Sequence, residues 1–365
     1  MTNIDALLIL NYLRVGPITA RRMMDAFGSP AKIFSTSVRN LKAVSRLSTD
    51  NINCIKNWQK KIDLKKVWDI IKKENIKVLT YKDSDYPHLL KEIYDYPLLL
   101  YVKGKLKPED SQAIAMVGTR SPTNYGKLVA RKWATKFAAR GFTVVSGLAR
   151  GVDTQSHIGA IEGKGRTIAV LGYGFGYIYP KENEKLFHKI VETGAVITEY
   201  PWKSYHGKAS FPLRNRLIAG LCRATVVVES RKRGGSMITA HFANEYNRTV
   251  FSVPGAINSS TSAGTNKLIR DGASLATSVD DVTEEFEFLF SPEQLADKTK
   301  PAAEKPAPKL EKNEKVLYEL LENQMSLDQL AQESDLSIEK VTTAMLMLEF
   351  KGLVRALPGK IYVKK

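Results

Sequence analysis

Between residues 113 and 253 the chain repeats one unit: a short apolar run, a turn that is often glycine-bearing, and a helical segment. Strands are predicted over Ala113–Val117, Thr143–Ser146, Thr167–Leu171, Ala195–Thr198, Thr225–Glu229 and Thr249–Val253. Their apolar character is nearly continuous, as in parallel strands buried on both faces. Helices are predicted between them, over Tyr125–Arg140, Thr154–Glu162, Asn183–Glu192, Arg214–Cys222 and Ser236–Asn247. Strands alternating with helices at this spacing predict an α/β protein with a doubly wound, Rossmann-like sheet. In such sheets ligands bind beyond the carboxyl ends of the strands.

Those ends carry the informative residues. Gly118-Thr119-Arg120, Gly147-Leu148-Ala149-Arg150-Gly151 and Arg231-Lys232-Arg233-Gly234-Gly235-Ser236 each follow a strand. A glycine turn lets backbone N–H groups approach an anion, and a helix starting there adds its positive end. Arg120 suits bidentate phosphate contact. Arg150 precedes Asp153, which reads as a helix cap. The run from Phe211 to Gly220 is FPLRNRLIAG. Arg214 and Arg216, flanking Asn215, fall on opposite sides of a first helical turn, so one is free for phosphate while the other pairs with an acid such as Glu229. Lys208 and Phe211 set a cation three residues from an aromatic ring, the pair that single-strand binding uses. Phe211 reads equally as plain core. Gly235 and Ser236 form an anion nest at a helix start.

The charge agrees with several phosphates rather than one. The chain has 365 residues, 55 Lys and Arg against 38 Asp and Glu, and a formal charge of +17. Residues 1–108 hold 20 basic and 10 acidic side chains, residues 109–280 hold 23 and 12, and residues 281–365 hold 12 and 16. The basic excess therefore lies ahead of the last segment, and it favours a polyanionic partner.

The organisation follows from composition. Residues 1–75 read as a helical domain, where Val15-Gly16-Pro17-Ile18-Thr19 joins two helices as in a helix–hairpin–helix or SAM-like unit. A weaker second copy runs from Leu41 to Ile55. Residues 76–290 form the sheet domain, its start (76–108) reading as a bridge with strands at Ile76–Tyr81 and Pro97–Val102. Residues 291–312, rich in Pro, Ala and charge, read as a linker. Residues 313–365 read as three helices and a hairpin, a winged helix.

Several classes are disfavoured. No G-x-x-x-x-G-K-[ST], H-E-x-x-H, C-x-x-C pair or G-x-S-x-G occurs, so neither a metal nor a P-loop nucleotide is expected. Gly172-Tyr173-Gly174-Phe175-Gly176 has Tyr177 where a dinucleotide fingerprint needs glycine, and Glu199 comes 27 residues after Gly172. No cofactor is expected there. Cys54 and Cys222 are too few for a disulfide scaffold. No apolar run of about 18 residues exists to span a membrane, and a cytoplasmic protein is expected. An alternative remains, a nucleotide-hydrolysing enzyme, for which Glu229 and Glu199 at strand ends are the candidate acids.

At these residues the chain resembles the DNA-processing protein A family (DprA, also called Smf). The matching run comprises MVGTRSPTNYG, VVSGLARGVDTQSHIGAI, IAVLGYGFGYIYP, TEYP, FPLRNRLIAGL, VVVES, GGSMITAHFANEYNRTVFSVPG and GTNKLIRDGA, in order across residues 113–273. The resemblance implies a helical N-terminal domain, an extended Rossmann-like core and a winged-helix tail. It implies a non-catalytic homodimer that binds single-stranded DNA without strong sequence preference. It also implies that the protein loads the RecA recombinase onto DNA displaced from single-strand-binding protein in natural transformation. The family's DNA contacts would fall on Arg120, on Lys208 and Phe211, and around Arg214, Asn215 and Arg216, with Gly118 and Thr119 of the same turn, and Arg150, as further candidate contacts. Arg231–Arg233 depart from the family's less basic turn, while Gly235 and Ser236 keep the nest.

Overall fold

A computed structural model describes residues 1–204, 210–289, 310–321, 324–357 and 361–364. The chain forms two compact units, 1–298 and 299–365.

The first unit opens with α1 (Asn3–Tyr12), α2 (Pro17–Phe27), α3 (Pro30–Ser35), α4 (Val38–Lys42), α5 (Thr49–Lys56) and α6 (Leu64–Lys73). Helices this short are marginal alone, and the sequence fixes their starts. Thr2 and Asp5 form a reciprocal capping box on α1. Ser29, Ser37, Ser48 and Asp63 each accept from the amide three residues on. Such caps contribute about 1 kcal/mol each. Leu7, Leu10, Met23, Ile33, Leu41 and Ile55 are buried together, in one apolar cluster with Leu99, Tyr101, Leu171 and Val196 of the sheet. The helical segment thus packs directly on the strands.

There follow β1 (Lys77–Thr80), α7 (His88–Lys91), β2 (Leu99–Gly104), β3 (Ala113–Val117), α8 (Asn124–Ala139), β4 (Thr143–Ser146), α9 (Val152–Glu162), β5 (Thr167–Leu171), α10 (Glu184–Thr193), β6 (Ala195–Thr198), α11 (Ser210–Gly220), β7 (Ala224–Val227), α12 (Gly235–Glu245), β8 (Thr249–Ser252), α13 (Ala263–Arg270), β9 (Ser274–Leu275) and α14 (Asp280–Thr283). The sheet order is β1-β2-β6-β5-β4-β3-β7-β8-β9. All pairings from β6 to β9 are parallel, and β1 and β2 join antiparallel at the β6 edge. The bridge read at 76–108 is therefore an extension of the sheet itself. Strand β3 shows the double winding directly: Ala113, Ala115 and Val117 pack on one face, Ile114 and Met116 on the other. From β3 the chain winds out to β6 and then returns to place β7 on the opposite side. The topological switch point lies between β3 and β7, where a doubly wound sheet opens a crevice. Among the described residues no helix is long and apolar enough to cross a membrane.

The second unit holds α15 (Lys312–Leu320), β10 (Met325–Ser326), α16 (Leu327–Ser334), α17 (Ile338–Phe350), β11 (Val354–Leu357) and β12 (Ile361–Lys364). Ser326 caps α16 with a reciprocal box to Gln329. Its three-stranded sheet has the order β10-β12-β11. Leu317, Leu330, Val341, Met345 and Leu348 form its core, and the whole is a winged helix.

Candidate nucleic-acid interface

A cleft of about 610 Å³ opens at the switch point. Its walls come from the turn after β3, the loop after β4, the first turns of α11, and the β7–α12 loop. The first wall is rigid. Thr119 N donates to Glu229 O at 2.8 Å and Thr119 O accepts from Val152 N at 3.2 Å. A Cβ on Gly118 would sit 2.5 Å from Val152 Cγ2, so the close approach of β3 to α9 requires glycine here. Arg120 leaves this pinned turn exposed, its guanidinium carbon 5.4 Å from the Phe211 ring centroid.

Phe211 is half-buried and fills both roles open to it. One side meets Tyr173 edge-on at 6.3 Å in the core, and Tyr179 lies tilted 5.9 Å away. Tyr179 is 42% exposed and lines the same cleft. Nothing local in the sequence marked it, because the chain brings it in from the β5–α10 connection.

Arg214 lines the cleft but is not a free ligand for phosphate. It is buried, and its Nη1 donates to Gly147 O at 2.8 Å and to Val170 O. The side chain straps the ends of β4 and β5 together. Gly147 makes room for it, since a Cβ there would lie 2.5 Å from Arg214 Nη2. Asp153 is not a cap for the helix that follows. It sits inside the first turn of α9, and its Oδ2 accepts from Gly147 N at 3.1 Å and Ala149 N at 3.3 Å. Burial pushes the Asp153 carboxyl up, against the pull of Arg214 and these amides. Asn215 completes the brace: Nδ2 donates to Gly235 O at 3.2 Å and Oδ1 accepts from Arg214 Nε at 3.2 Å.

Arg216 corrects the expectation more strongly. It is buried on the far side of α11, with Nη2 on Glu199 and Nε 3.4 Å from Asp95 Oδ2. Burial alone would lower its guanidinium, but Glu199 and Asp95 carry it above its ordinary value. Burial likewise pushes the Glu199 carboxyl up, with Arg216 opposing. The sequence showed that the two arginines diverge, not which acid lay opposite. Glu229 pairs with neither: it accepts from Thr123 N at 2.8 Å and Thr123 Oγ1 at 2.7 Å at the start of α8. Glu199 and Glu229, the acids considered for hydrolysis, both lie off the cleft wall.

The remaining sites divide. Arg150 is exposed but off the wall, its guanidinium held by both oxygens of Glu182. Lys208 lies outside the described residues. Gly235 and Ser236 line the cleft at the start of α12, where Gly234 offers no side-chain cap to the first amides. Ser236 Oγ donates to Ser230 Oγ at 2.8 Å, which fixes the loop. Arg231 and Arg233 are exposed on the same wall. Among the described residues, Arg120, Arg231 and Arg233 have no ion-pair partner. Three free guanidiniums, two aromatic rings and a helix N-terminus can together hold a chain of phosphates with stacked bases.

Comparison with known proteins accords with this geometry. Residues 77–287 match the family model for DNA recombination-mediator protein A, and residues 301–360 match the DprA winged helix domain. Protein Smf of Synechocystis sp. is 37% identical over 322 residues, covering 80% of this chain and 81% of the relative. The crystal structure of DprA from Streptococcus pneumoniae superposes with a TM-score of 0.70 at 33% identity, covering 79% of this chain and 99% of that one. The DprA structure from Helicobacter pylori, described for its single-stranded DNA binding mode, gives a TM-score of 0.53 at 29% identity, covering 59% of this chain and 98% of that one. This chain belongs to the DNA processing protein A family, DprA or Smf.

Proposed function

We propose that the protein binds single-stranded DNA across the switch-point cleft and acts, without catalysis, as a mediator that loads RecA onto DNA during transformation and homologous recombination. One observation carries the reading: Arg120, its guanidinium near the Phe211 ring, lines together with Arg231 and Arg233 a cleft whose lone acid, among the described residues, is the buried Asp153. Cations with no exposed acid beside them suit a polyanion, and accessible rings suit unpaired bases. Gly118, Thr119, Gly235 and Ser236 supply the close backbone approach, Lys208, three residues ahead of Phe211 in the sequence, adds charge, and Arg214 and Asn215 hold the walls in place. Membership of the family supports a homodimer working with RecA and single-strand-binding protein in the cytoplasm. The winged helix, with seven basic and eight acidic side chains over residues 313–365 and so no basic excess, contacts protein rather than duplex DNA.

Fluorescence anisotropy with oligo-dT and a matched duplex tests the reading. Oligo-dT should bind tighter than duplex. Phe211→Ala should cost about 1–3 kcal/mol, and Arg120→Ala should weaken all sequences alike. Equal duplex affinity, or full affinity in both variants, would refute the site. Co-precipitation with RecA, with and without oligonucleotide, tests the partner.

A further inference from the structure

A second cleft, of about 580 Å³, lies between Leu213 and Arg216 of α11 and the Val15–Thr19 turn that opens α2. Its two acids, Asp95 and Glu199, are already bonded to the buried Arg216. Arg14 and Ile18 line it and are exposed. Four residues beyond Ile18, on the same face of α2, Arg22 lines a third cleft of about 440 Å³, together with Asn40, Ala43 and Ser45 from α4 and the turn that leads to α5. The first and second clefts thus share α11, and the second and third share one face of α2.

The third cleft is basic, and its charge is unspent. Residues 26–49 hold four basic side chains, Lys32, Arg39, Lys42 and Arg46, and no acid. Arg39, Lys42 and Arg46 are exposed, each next in the chain to a lining residue. Among the described residues, neither they nor Arg14 and Arg22 have an ion-pair partner. The acids that flank the segment are occupied elsewhere: Asp25 lies near Tyr81, and Asp50 sits in the first turn of α5, where it complements the positive end of that helix. Arg46 holds a left-handed backbone, with φ 63°, a conformation that glycine or asparagine adopts more easily. Phe27 is the one ring on the lining, and it packs against the helical core.

Exposed cations with no acid between them suit phosphates, and without a free ring they neither stack nor read bases. We propose that the turn between α4 and α5 is a second nucleic-acid contact. A strand leaving the first cleft crosses α11, follows α2 past Arg14 and Arg22, and lays its backbone phosphates on Arg39, Lys42 and Arg46. The inference rests on the single-strand reading above, and it gives the basic excess of residues 1–108 a use that the first cleft does not. Crossing α11 takes about 10–12 Å, and following α2 from Ile18 to Ala26 takes about 12 Å. About seven nucleotides, at about 3.4 Å each, therefore join the first cleft to the third.

The test uses the full chain and labelled oligo-dT of two lengths, about 6 nucleotides to fill the first cleft alone and about 20 to reach the third, each titrated at several salt concentrations. The triple variant Arg39→Gln, Lys42→Gln, Arg46→Gln should lower the slope of log affinity against log salt by about two for the long oligonucleotide, at about 0.7 per phosphate contact. Its binding of the short one should match wild type, which also shows that the variant is folded. Arg39→Lys with Arg46→Lys keeps the charge and should keep the wild-type slope. A triple variant with the wild-type slope on the long oligonucleotide overturns the inference and leaves the first cleft intact. Equal losses on both lengths also overturn it, because the effect is then not confined to DNA beyond the first cleft. Arg120→Ala should weaken both lengths; full affinity in that variant sinks the first cleft, and with it the track that leaves it.

Discussion

Part of the weakening of this fold by acid should come from one buried residue, His157. It lies on α9, fully buried, with Nδ1 2.7 Å from Thr167 Oγ1. Thr167 sends its own hydroxyl proton to Val144 O, so it must accept from an Nδ1–H, and the ring is neutral. Nε2 has no partner. A second proton there would be buried without an acceptor and would face the charge of Arg214. Burial, reinforced by Arg214, pushes the imidazole from 6.5 down to about 3. Between those values the unfolded chain binds a proton that the folded one refuses. Stability from this group is therefore fully present above pH 6.5 and is lost as pH falls, by about 1.4 kcal/mol per unit. At pH 5 the loss is about 2 kcal/mol relative to pH 7. Asp153 and Glu199, whose carboxyls are raised, act in the opposite sense, but they are common to wild type and variant. Urea unfolding of wild type and His157→Gln at pH 7 and pH 5 isolates the term. Wild type should lose about 2 kcal/mol more than the variant. An equal loss in both would show that the buried ring is not the titrating group.

Two further outcomes follow from the cleft. Gly147→Ala should drive the Arg214 guanidinium off Gly147 O and Val170 O, costing about 2–3 kcal/mol, and a thermal melt would show it; an unshifted midpoint would mean the strap is dispensable. Arg231→Ala and Arg233→Ala should each lower the slope of log affinity against log salt by about one. Arg150→Ala should leave that slope nearly unchanged, because Glu182 already neutralises it; a drop as large as for Arg231 would show that DNA displaces Glu182.

The strands were legible because burial on both faces writes itself as an unbroken apolar run. Ala113–Val117, Thr143–Ser146, Thr167–Leu171 and Ala195–Thr198 form as the sequence implies. The pairing of β1 and β2 was not legible. Lys77–Thr80 and Leu99–Gly104 are short, and only their partners on β6 make them part of the sheet. The helix α13, the strand β9 and the short α14 were missed for a similar reason. Their buried residues are few, and Ser274–Leu275 is exposed on both positions. The start of α11 was placed at Arg214 although Ser210 begins it, since Phe211-Pro212 reads locally as a break. Proline is tolerated in a first turn, where its missing N–H would have no partner.

The arginines mark the limit of local reading, and the reason bears on how the cleft works. Arg120 and Arg150 follow strand ends and Arg214 and Arg216 lie within α11, and the local sequence does not say which of them is free for phosphate. What separates them is distant in sequence. Arg214 meets carbonyls from β4 and β5, Arg216 meets acids at 95 and 199, and Arg150 meets an acid at 182. Arg120 alone of the four has no such partner among the described residues. A buried guanidinium without carbonyls or carboxylates would be prohibitively desolvated, so the arginines that build the floor must be bonded there. Those that meet a mobile polyanion must remain at the rim in water. The floor pair of Arg214 and Asp153 is close to neutral, and the usable charge is that of Arg120, Arg231 and Arg233. A salt dependence set by the rim, and insensitive to neutralising Arg150, is the consequence of that division.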